Sequence, residues 1–174
     1  DTFAAMALAS LPPSEAVMQN KPRDRKAFII NPSMSRQIIG VGGLFFILLL
    51  GLLYMLEYAP INSMTDLLTW HPTGPRELTN HELSIFFTVF VMLQFWNMFN
   101  ARAFATGKST FHFKDCKGFG IIVLVILIGQ IIIVQFGGKM FNVTPLCLTD
   151  WIAIIVVTSL VLWVGELLRL INRK

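Results

Sequence analysis

Four long apolar stretches constrain this chain more than any other feature of its sequence. Each has close to the ~20 residues that a helix needs to cross a hydrocarbon core about 30 Å thick. The first three contain no Lys, Arg, Asp or Glu, and the fourth contains only Glu166, near its end. Because a backbone inside lipid must satisfy its own hydrogen bonds, each stretch is expected to be helical. The sequence therefore predicts an all-α integral membrane protein with transmembrane helices over residues 38–56, 83–99, 118–136 and 151–168.

The charged residues are distributed unevenly among the connecting segments. Of the 14 basic residues, 12 lie in loop 12–37, in loop 100–117 or in the tail after residue 168, and the two other loops hold only Arg76 and Lys139. The positive-inside rule assigns the basic segments to the cytoplasm, so both ends of the chain are expected to be cytoplasmic. The net charge of +4 does not indicate nucleic-acid binding, because the basic residues form no continuous stripe.

A shorter helix is predicted at the start of the sequence. Residues 1–11 are rich in Ala, Leu and Met, which favour helix, and Pro12 and Pro13 end the segment. At about 1.5 Å per residue, this segment covers roughly half of a bilayer. We expect a truncated half-helix whose outer half lies upstream, followed by a cytoplasmic loop over residues 12–37. The whole chain, residues 1–174, is then a single membrane domain.

Polar residues inside the spans are the candidates for function. Gln94 and Asn97 are three residues apart, so their amides point the same way on a helix, and Asn100 continues this polar edge. Such groups face a bundle interior or an ion path. The alternative is an ordinary hydrogen bond between helices, worth about 0.6 kcal/mol. Asp1 would lie near mid-membrane, where a carboxylate suits a hard cation such as Ca²⁺, and the alternative is a solvated terminal residue.

The remaining polar residues point to no catalytic chemistry. Glu166 and Arg169 are three residues apart at the cytoplasmic boundary and predict a local ion pair. His71, His81 and His112 are scattered and have no Cys or His partner at the spacing of a zinc site. The sequence contains no phosphate-binding loop and no nucleophile–base arrangement.

Two segments resemble the calcium-transporting P-type ATPases. Residues 1–18, DTFAAMALASLPPSEAVM, followed by Lys21-Pro22, are similar to the end of the sixth transmembrane helix and the next cytoplasmic loop of that family. Residues 87–102, FTVFVMLQFWNMFNAR, are similar to the eighth helix of the plasma-membrane and bacterial calcium pumps. The four spans match helices seven to ten in length and order. The resemblance covers essentially the whole chain and implies the carboxy-terminal membrane portion of an ATP-driven cation pump.

The resemblance implies roles for particular residues. Asp1 would be the sixth-helix carboxylate that ligates the transported Ca²⁺. Gln94 stands where the sarcoplasmic-reticulum type has a glutamate ligand, so one of two ion sites would be lost, and Gln94 with the nearby Asn97 would supply only weak neutral ligands. The first loop resembles the segment that couples the ion site to the phosphorylation domain, through Lys21, Arg23, Arg25 and Lys26.

The chain also departs from the family. It contains no Asp-Lys-Thr-Gly phosphorylation motif and no nucleotide-binding or actuator domain, so we expect no ATP hydrolysis by this chain alone. The resemblance implies no cofactor here, with Ca²⁺ as the transported ion and Mg-ATP used by the rest of the pump in the plasma membrane. Its implied partners are the bilayer and the preceding part of the pump. Two alternatives stay open: a stand-alone four-span scaffold or partner subunit without transport chemistry, and the same part of a pump for Mn²⁺, H⁺ or Na⁺.

Overall fold

The described part of the chain is built from helices. The computed structural model describes residues 2–9, 28, 30–104, 109–111 and 117–172. Its helices are α1 (Thr2–Ala9), α2 (Pro32–Tyr58), α3 (Asn80–Ala103), α4 (Lys117–Phe136), α5 (Gly138–Phe141) and α6 (Leu148–Asn172), with a 3₁₀ helix over Met64–Thr69. Among these described helices, α2, α3, α4 and α6 are long and apolar enough to cross a membrane. The predicted all-α membrane architecture is confirmed.

The start of α2 differs from the sequence prediction. Residues 32–37 were assigned to the loop over 12–37 but belong to α2. Asn31 caps this helix, because its Oδ1 accepts a hydrogen bond from the backbone N–H of Met34 at 2.7 Å. Pro32 takes the first helical position, where its missing N–H is not needed. Pro32 is therefore part of the signal that starts α2.

α3 is the central helix of the bundle. It contacts α1, α2, α4 and α6, and its contact with α6 is the most extensive. The most apolar window of α3 is 56% buried, against 6% for that of α2. The ring of Phe99 packs edge to face with Phe95, at 5.5 Å between centroids, and with Phe119 of α4, at 5.4 Å. Side chains of α3 therefore point at several neighbouring helices, according to their position around its axis.

A buried carboxylate fixes the predicted outer end of α3. Glu82 is only 1% exposed and forms a capping box with Thr79 at the start of the helix. Its Oε1 accepts a hydrogen bond from the backbone N–H of Ile61 at 2.9 Å and pairs with the guanidinium of Arg76. Arg76 also donates to the carbonyl of Ala59 at 2.7 Å. The connection between α2 and α3 is thereby bound to the beginning of α3.

A second buried carboxylate binds the same connection to α6. Asp150 lies in the first turn of α6 and is fully buried. Its Oδ1 accepts hydrogen bonds from the backbone N–H of Met64 at 2.8 Å and from Ser63 Oγ at 2.9 Å. Its Oδ2 accepts from Cys147 Sγ at 2.9 Å and lies 3.9 Å from His81 Nε2. The contacts of the two carboxylates together hold residues 59–79 against one end of the bundle.

Candidate functional site

The amides of Gln94 and Asn97 border one cavity between α2 and α3. Its volume is about 360 Å³. Both amides are half-buried, and no hydrogen-bond partner for either is found in the described part of the chain. The structure therefore brings together the two residues that the sequence spacing placed on one face. The other lining residues are Met34, Gln37, Ile38, Val41, Gly42, Phe45, Ala101 and Phe104.

Gln37 is a third amide at this cavity that the sequence analysis missed. It comes from α2, on the face that also carries Met34, Val41 and the buried Phe45. These positions repeat at i, i+3, i+7 and i+11, which is the spacing of one helix face. The signal was present in the sequence, but Gln37 had been assigned to the preceding loop. Polar groups therefore approach the cavity from both of its helices.

Asn100 does not continue the polar edge of Gln94 and Asn97. Residues three apart on a helix drift by about 60° per step, so six residues turn Asn100 away from the cavity by about 120°. Asn100 is 7% exposed and faces α6, where its Nδ2 donates to the carbonyl of Val161 at 2.9 Å. Arg169, also of α6, donates to Asn100 Oδ1. Asn100 thus belongs to the interface between α3 and α6.

A polar cluster surrounds Asn100 at the predicted inner end of the bundle. The predicted ion pair between Glu166 and Arg169 is present, with 3.0 Å between Oε2 and Nη1. Glu166 Oε2 also accepts from the backbone N–H of Thr110 at 3.1 Å and from its hydroxyl at 2.8 Å. Arg102 of α3 donates to the carbonyl of Thr110 at 2.5 Å. The segment 109–111 is therefore bound to both α3 and α6.

Gln130 of α4 is a buried amide with an unsatisfied donor. Its side chain is 5% exposed, and its Nε2 has no hydrogen-bond partner among the described residues. It shares the buried face of α4 with Phe119 and Val134. By contrast, Gln135 donates from Nε2 to the carbonyl of Leu146 at 2.9 Å. The two glutamines have different surroundings, and neither lines the cavity between α2 and α3.

Five of the predicted site residues lie outside the described residues. These are Asp1 and the four basic residues of the first loop, Lys21, Arg23, Arg25 and Lys26. The helix that follows Asp1 is described, and α1 packs against α4 and α3. Within the described ranges, no group of three or more His, Cys, Asp or Glu side chains is arranged to hold a metal ion. The cavity amides are therefore at most part of a ligand set.

The chain matches a family of cation pumps over almost its full length. Residues 1–171 match the family described as "Cation transporting ATPase, C-terminus". The chain belongs to this family, whose matched region is the carboxy-terminal membrane part of such ATPases. The resemblance to the end of a P-type cation pump, which the sequence predicted from two motifs, is confirmed.

Several relatives of known name are calcium-transporting ATPases. The chain is 34% identical over 153 residues to plasma membrane calcium-transporting ATPase 2 of Oreochromis mossambicus, covering 87% of the chain and 13% of the relative. It is 33% identical over 171 residues to calcium-transporting ATPase PAT1 of Dictyostelium discoideum, covering 97% and 15%. It is 32% identical over 174 residues to plasma membrane calcium-transporting ATPase 1 of Gallus gallus, covering 98% and 14%. The chain therefore spans about one seventh of the length of these relatives.

Proposed function

We propose that this chain is the carboxy-terminal membrane portion of an ATP-driven Ca²⁺ pump, and that it braces and partly forms the ion-transport site. The match to the cation-pump family over residues 1–171 carries the proposal. It is supported by the relatives, whose names describe calcium transport. It is also supported by the placement of Gln94 and Asn97, whose amides border a cavity without hydrogen-bond partners in the described residues.

The chemistry of the cavity fits a contribution to the site and not a complete site. Ca²⁺ takes about six to eight oxygen ligands at roughly 2.3–2.6 Å, most of them carboxylates, carbonyls and waters. The cavity offers the neutral amide oxygens of Gln37, Gln94 and Asn97 and no carboxylate. A neutral amide ligates a divalent cation weakly, so the negative charge must come from elsewhere in the pump. Asp1 is the residue of this chain proposed to supply it.

The remaining roles belong to the pump as a whole. The basic residues of the first loop, Lys21, Arg23, Arg25 and Lys26, are proposed to contact the phosphorylation domain and couple it to the ion site. Mg-ATP would be used by domains outside this chain. The pump is proposed to lie in the plasma membrane. Both ends of this chain are proposed to be cytoplasmic, an orientation that the basic loops favour. Its partners are then the bilayer and the preceding part of the same protein.

The test uses the intact pump in sealed membrane vesicles. Ca²⁺ uptake driven by ATP and Ca²⁺-dependent phosphorylation are compared for the wild type, Asp1→Asn and Gln94→Ala. Asp1→Asn is expected to abolish both activities at micromolar Ca²⁺, because it removes the negative charge that Asp1 is proposed to supply to the site. Gln94→Ala is expected to raise the half-saturating Ca²⁺ about threefold, equivalent to about 0.6 kcal/mol of lost binding. Unchanged Ca²⁺-dependent phosphorylation in Asp1→Asn would remove Asp1 from the ion site.

A matched control separates the site from the bundle around it. Arg36→Gln changes an exposed side chain on α2, one residue before Gln37, and is expected to leave both activities unchanged. Uptake of Mn²⁺ or Na⁺ in place of Ca²⁺ by the wild-type vesicles would contradict the assignment of the ion. Absence of any ATP-driven cation uptake would contradict the proposed function itself.

A further inference from the structure

The interface between α3 and α6 is joined by polar contacts at two levels. Trp96 Nε1 donates to Thr158 Oγ1 at 3.1 Å, and one turn further along α3, Asn100 Nδ2 donates to the carbonyl of Val161 at 2.9 Å. Apolar contacts tolerate rotation of one helix against another, whereas directed hydrogen bonds allow one orientation. These two contacts therefore define how α3 is rotated and how far it is shifted along α6.

Gly165 of α6 leaves the space that the Asn100 side chain occupies at this interface, because it has no Cβ atom. A Cβ atom at position 165 would lie 2.3 Å from Asn100 Oδ1, 2.6 Å from its Cγ and 2.7 Å from its Nδ2. All three distances are far below van der Waals contact, so any side chain there would displace the Asn100 amide. The Asn100 side chain of α3 therefore packs directly against the backbone of α6 at Gly165.

Both polar atoms of the Asn100 amide form hydrogen bonds that hold it against Gly165. Nδ2 donates to Val161, and Oδ1 accepts from Arg169. Arg169 is itself fixed by Glu166, with 3.0 Å between Nη1 and Oε2. The amide is 7% exposed, so a shift that broke these bonds would leave buried polar atoms unsatisfied. A displacement of Asn100 away from α6 is therefore opposed by both bonds.

The cavity amides belong to the same helix as Asn100, on a different face. Asn97 and Gln94 precede Asn100 by three and six residues, which is about 4.5 Å and 9 Å along the helix axis. A helix transmits rotation over such distances as a rigid body. Any change in the rotation of α3 on α6 would therefore turn Gln94 and Asn97 relative to α2, which forms the other wall of the cavity.

We propose that Asn100 is a positioning residue for ion binding. Its amide packs on Gly165 and is fixed there by Arg169, and this contact sets the rotation of α3. The rotation in turn orients Gln94 and Asn97 toward the cavity. This inference rests on the proposed function, since the amides are assigned to Ca²⁺ there. The residue itself touches no ion. Its effect is predicted on the affinity for Ca²⁺ and not on the maximal rate.

Gly165→Ala in the intact pump is the sharpest test. Alanine favours helix more than glycine, so the substitution does not weaken α6, yet its methyl group occupies the position of the Asn100 amide. We expect the half-saturating Ca²⁺ for uptake to rise about three- to tenfold, with a maximal rate within about twofold of the wild type. Gly129→Ala in α4 is the matched control, because nothing described lies within 4 Å of a Cβ at that position, and its half-saturating Ca²⁺ should not change.

A double-mutant cycle identifies the contact as the cause. Asn100→Ala removes the amide that the methyl group would displace, so Gly165→Ala should have little further effect in the Asn100→Ala background. Arg169→Lys is expected to retain part of the Ca²⁺ affinity that Arg169→Gln loses, because lysine keeps the charge and one donor. Fully additive effects of Asn100→Ala and Gly165→Ala on Ca²⁺ affinity would overturn the proposal. An unchanged half-saturating Ca²⁺ in Gly165→Ala would do the same.

A readout without Ca²⁺ keeps this inference separate from the proposed function. Val41→Cys on α2 and Ala101→Cys on α3 face the same cavity, and cross-linking of the two thiols by a bifunctional thiol reagent can be followed in a background with Cys116, Cys147 and any cysteines in the rest of the pump replaced by serine. If Asn100 sets the rotation of α3, adding Gly165→Ala should change the rate of cross-linking at least threefold. An unchanged rate would overturn the positioning role even if the wild-type pump transports Ca²⁺. A wild-type pump without Ca²⁺ uptake but with a changed rate would overturn only the proposed function.

Discussion

Replacing Asp150 by alanine tests the contact that holds the outer connection to α6. The carboxylate is fully buried and accepts hydrogen bonds from the backbone N–H of Met64 at 2.8 Å, Ser63 Oγ at 2.9 Å and Cys147 Sγ at 2.9 Å. The change leaves the Met64 N–H inside the protein without an acceptor. Ser63 keeps a neighbour, because Thr65 Oγ1 lies 3.1 Å from its hydroxyl.

The expected loss follows from these contacts. A buried donor without a partner costs about 1–3 kcal/mol, and the lost bond from Ser63 adds about 1 kcal/mol. The free energy of unfolding should therefore fall by about 3 kcal/mol in Asp150→Ala. Asp150→Asn keeps one oxygen acceptor for Met64 and Ser63 but loses the charge and the acceptor of the Cys147 thiol, so its loss should be about 1 kcal/mol.

Thermal unfolding of the chain in lipid nanodiscs, followed by tryptophan fluorescence, measures this loss. At about 2–4 °C per kcal/mol for a chain of this size, Asp150→Ala should lower the midpoint by about 6–12 °C. Glu77→Ala is the control, because Glu77 is an exposed acid in the same connection and should change stability by less than about 0.5 kcal/mol. Equal midpoints for Asp150→Ala and Glu77→Ala would refute the reasoning from burial.

Three further substitutions can be measured in the same unfolding assay. Glu82→Ala removes the acceptor of the Ile61 N–H and the charged partner of Arg76, so we expect a loss of about 3 kcal/mol, and a loss below 1 kcal/mol would contradict this role. Trp96→Phe keeps the aromatic packing but loses the bond to Thr158, which should cost about 1 kcal/mol. Gln130→Met removes a buried donor without a described partner and should stabilise the chain by about 1 kcal/mol, whereas a clear destabilisation would reveal a partner for that amide.

The spans were predictable because hydropathy and length depend only on local sequence. A run of apolar residues long enough to cross the bilayer has no other stable position, so α2, α3, α4 and α6 follow from composition alone. The common orientation of Gln94 and Asn97 was predictable for the same reason, since helix geometry relates positions i and i+3. Their role in ion binding stays a proposal, which their position at one cavity supports.

The partners of the polar residues were not predictable, because they depend on contacts between distant segments. Asn100 faces α6 only because Gly165, 65 residues later, leaves room for its amide. The predicted start of α2 lies too late, and Gln37 was missed, because the Asn31-Pro32 pair that caps and begins this helix was not recognised. The role of Glu82 was visible in principle, since Thr79-x-x-Glu82 is a capping-box pattern. Nothing local, however, indicated that Arg76 and Ile61 would bind the same carboxylate.

The contact between Asp150 and the outer connection also bears on how the protein is made. Ser63 precedes Asp150 by 87 residues, so its partner does not exist when this part of the chain leaves the ribosome. At about 5–20 residues per second, translation needs roughly 4–17 s to supply the missing carboxylate. Throughout that interval the Met64 N–H lacks the acceptor that it has in the folded protein. A nascent chain that stops before α6 therefore lacks the carboxylate that binds the connection between α2 and α3 to α6.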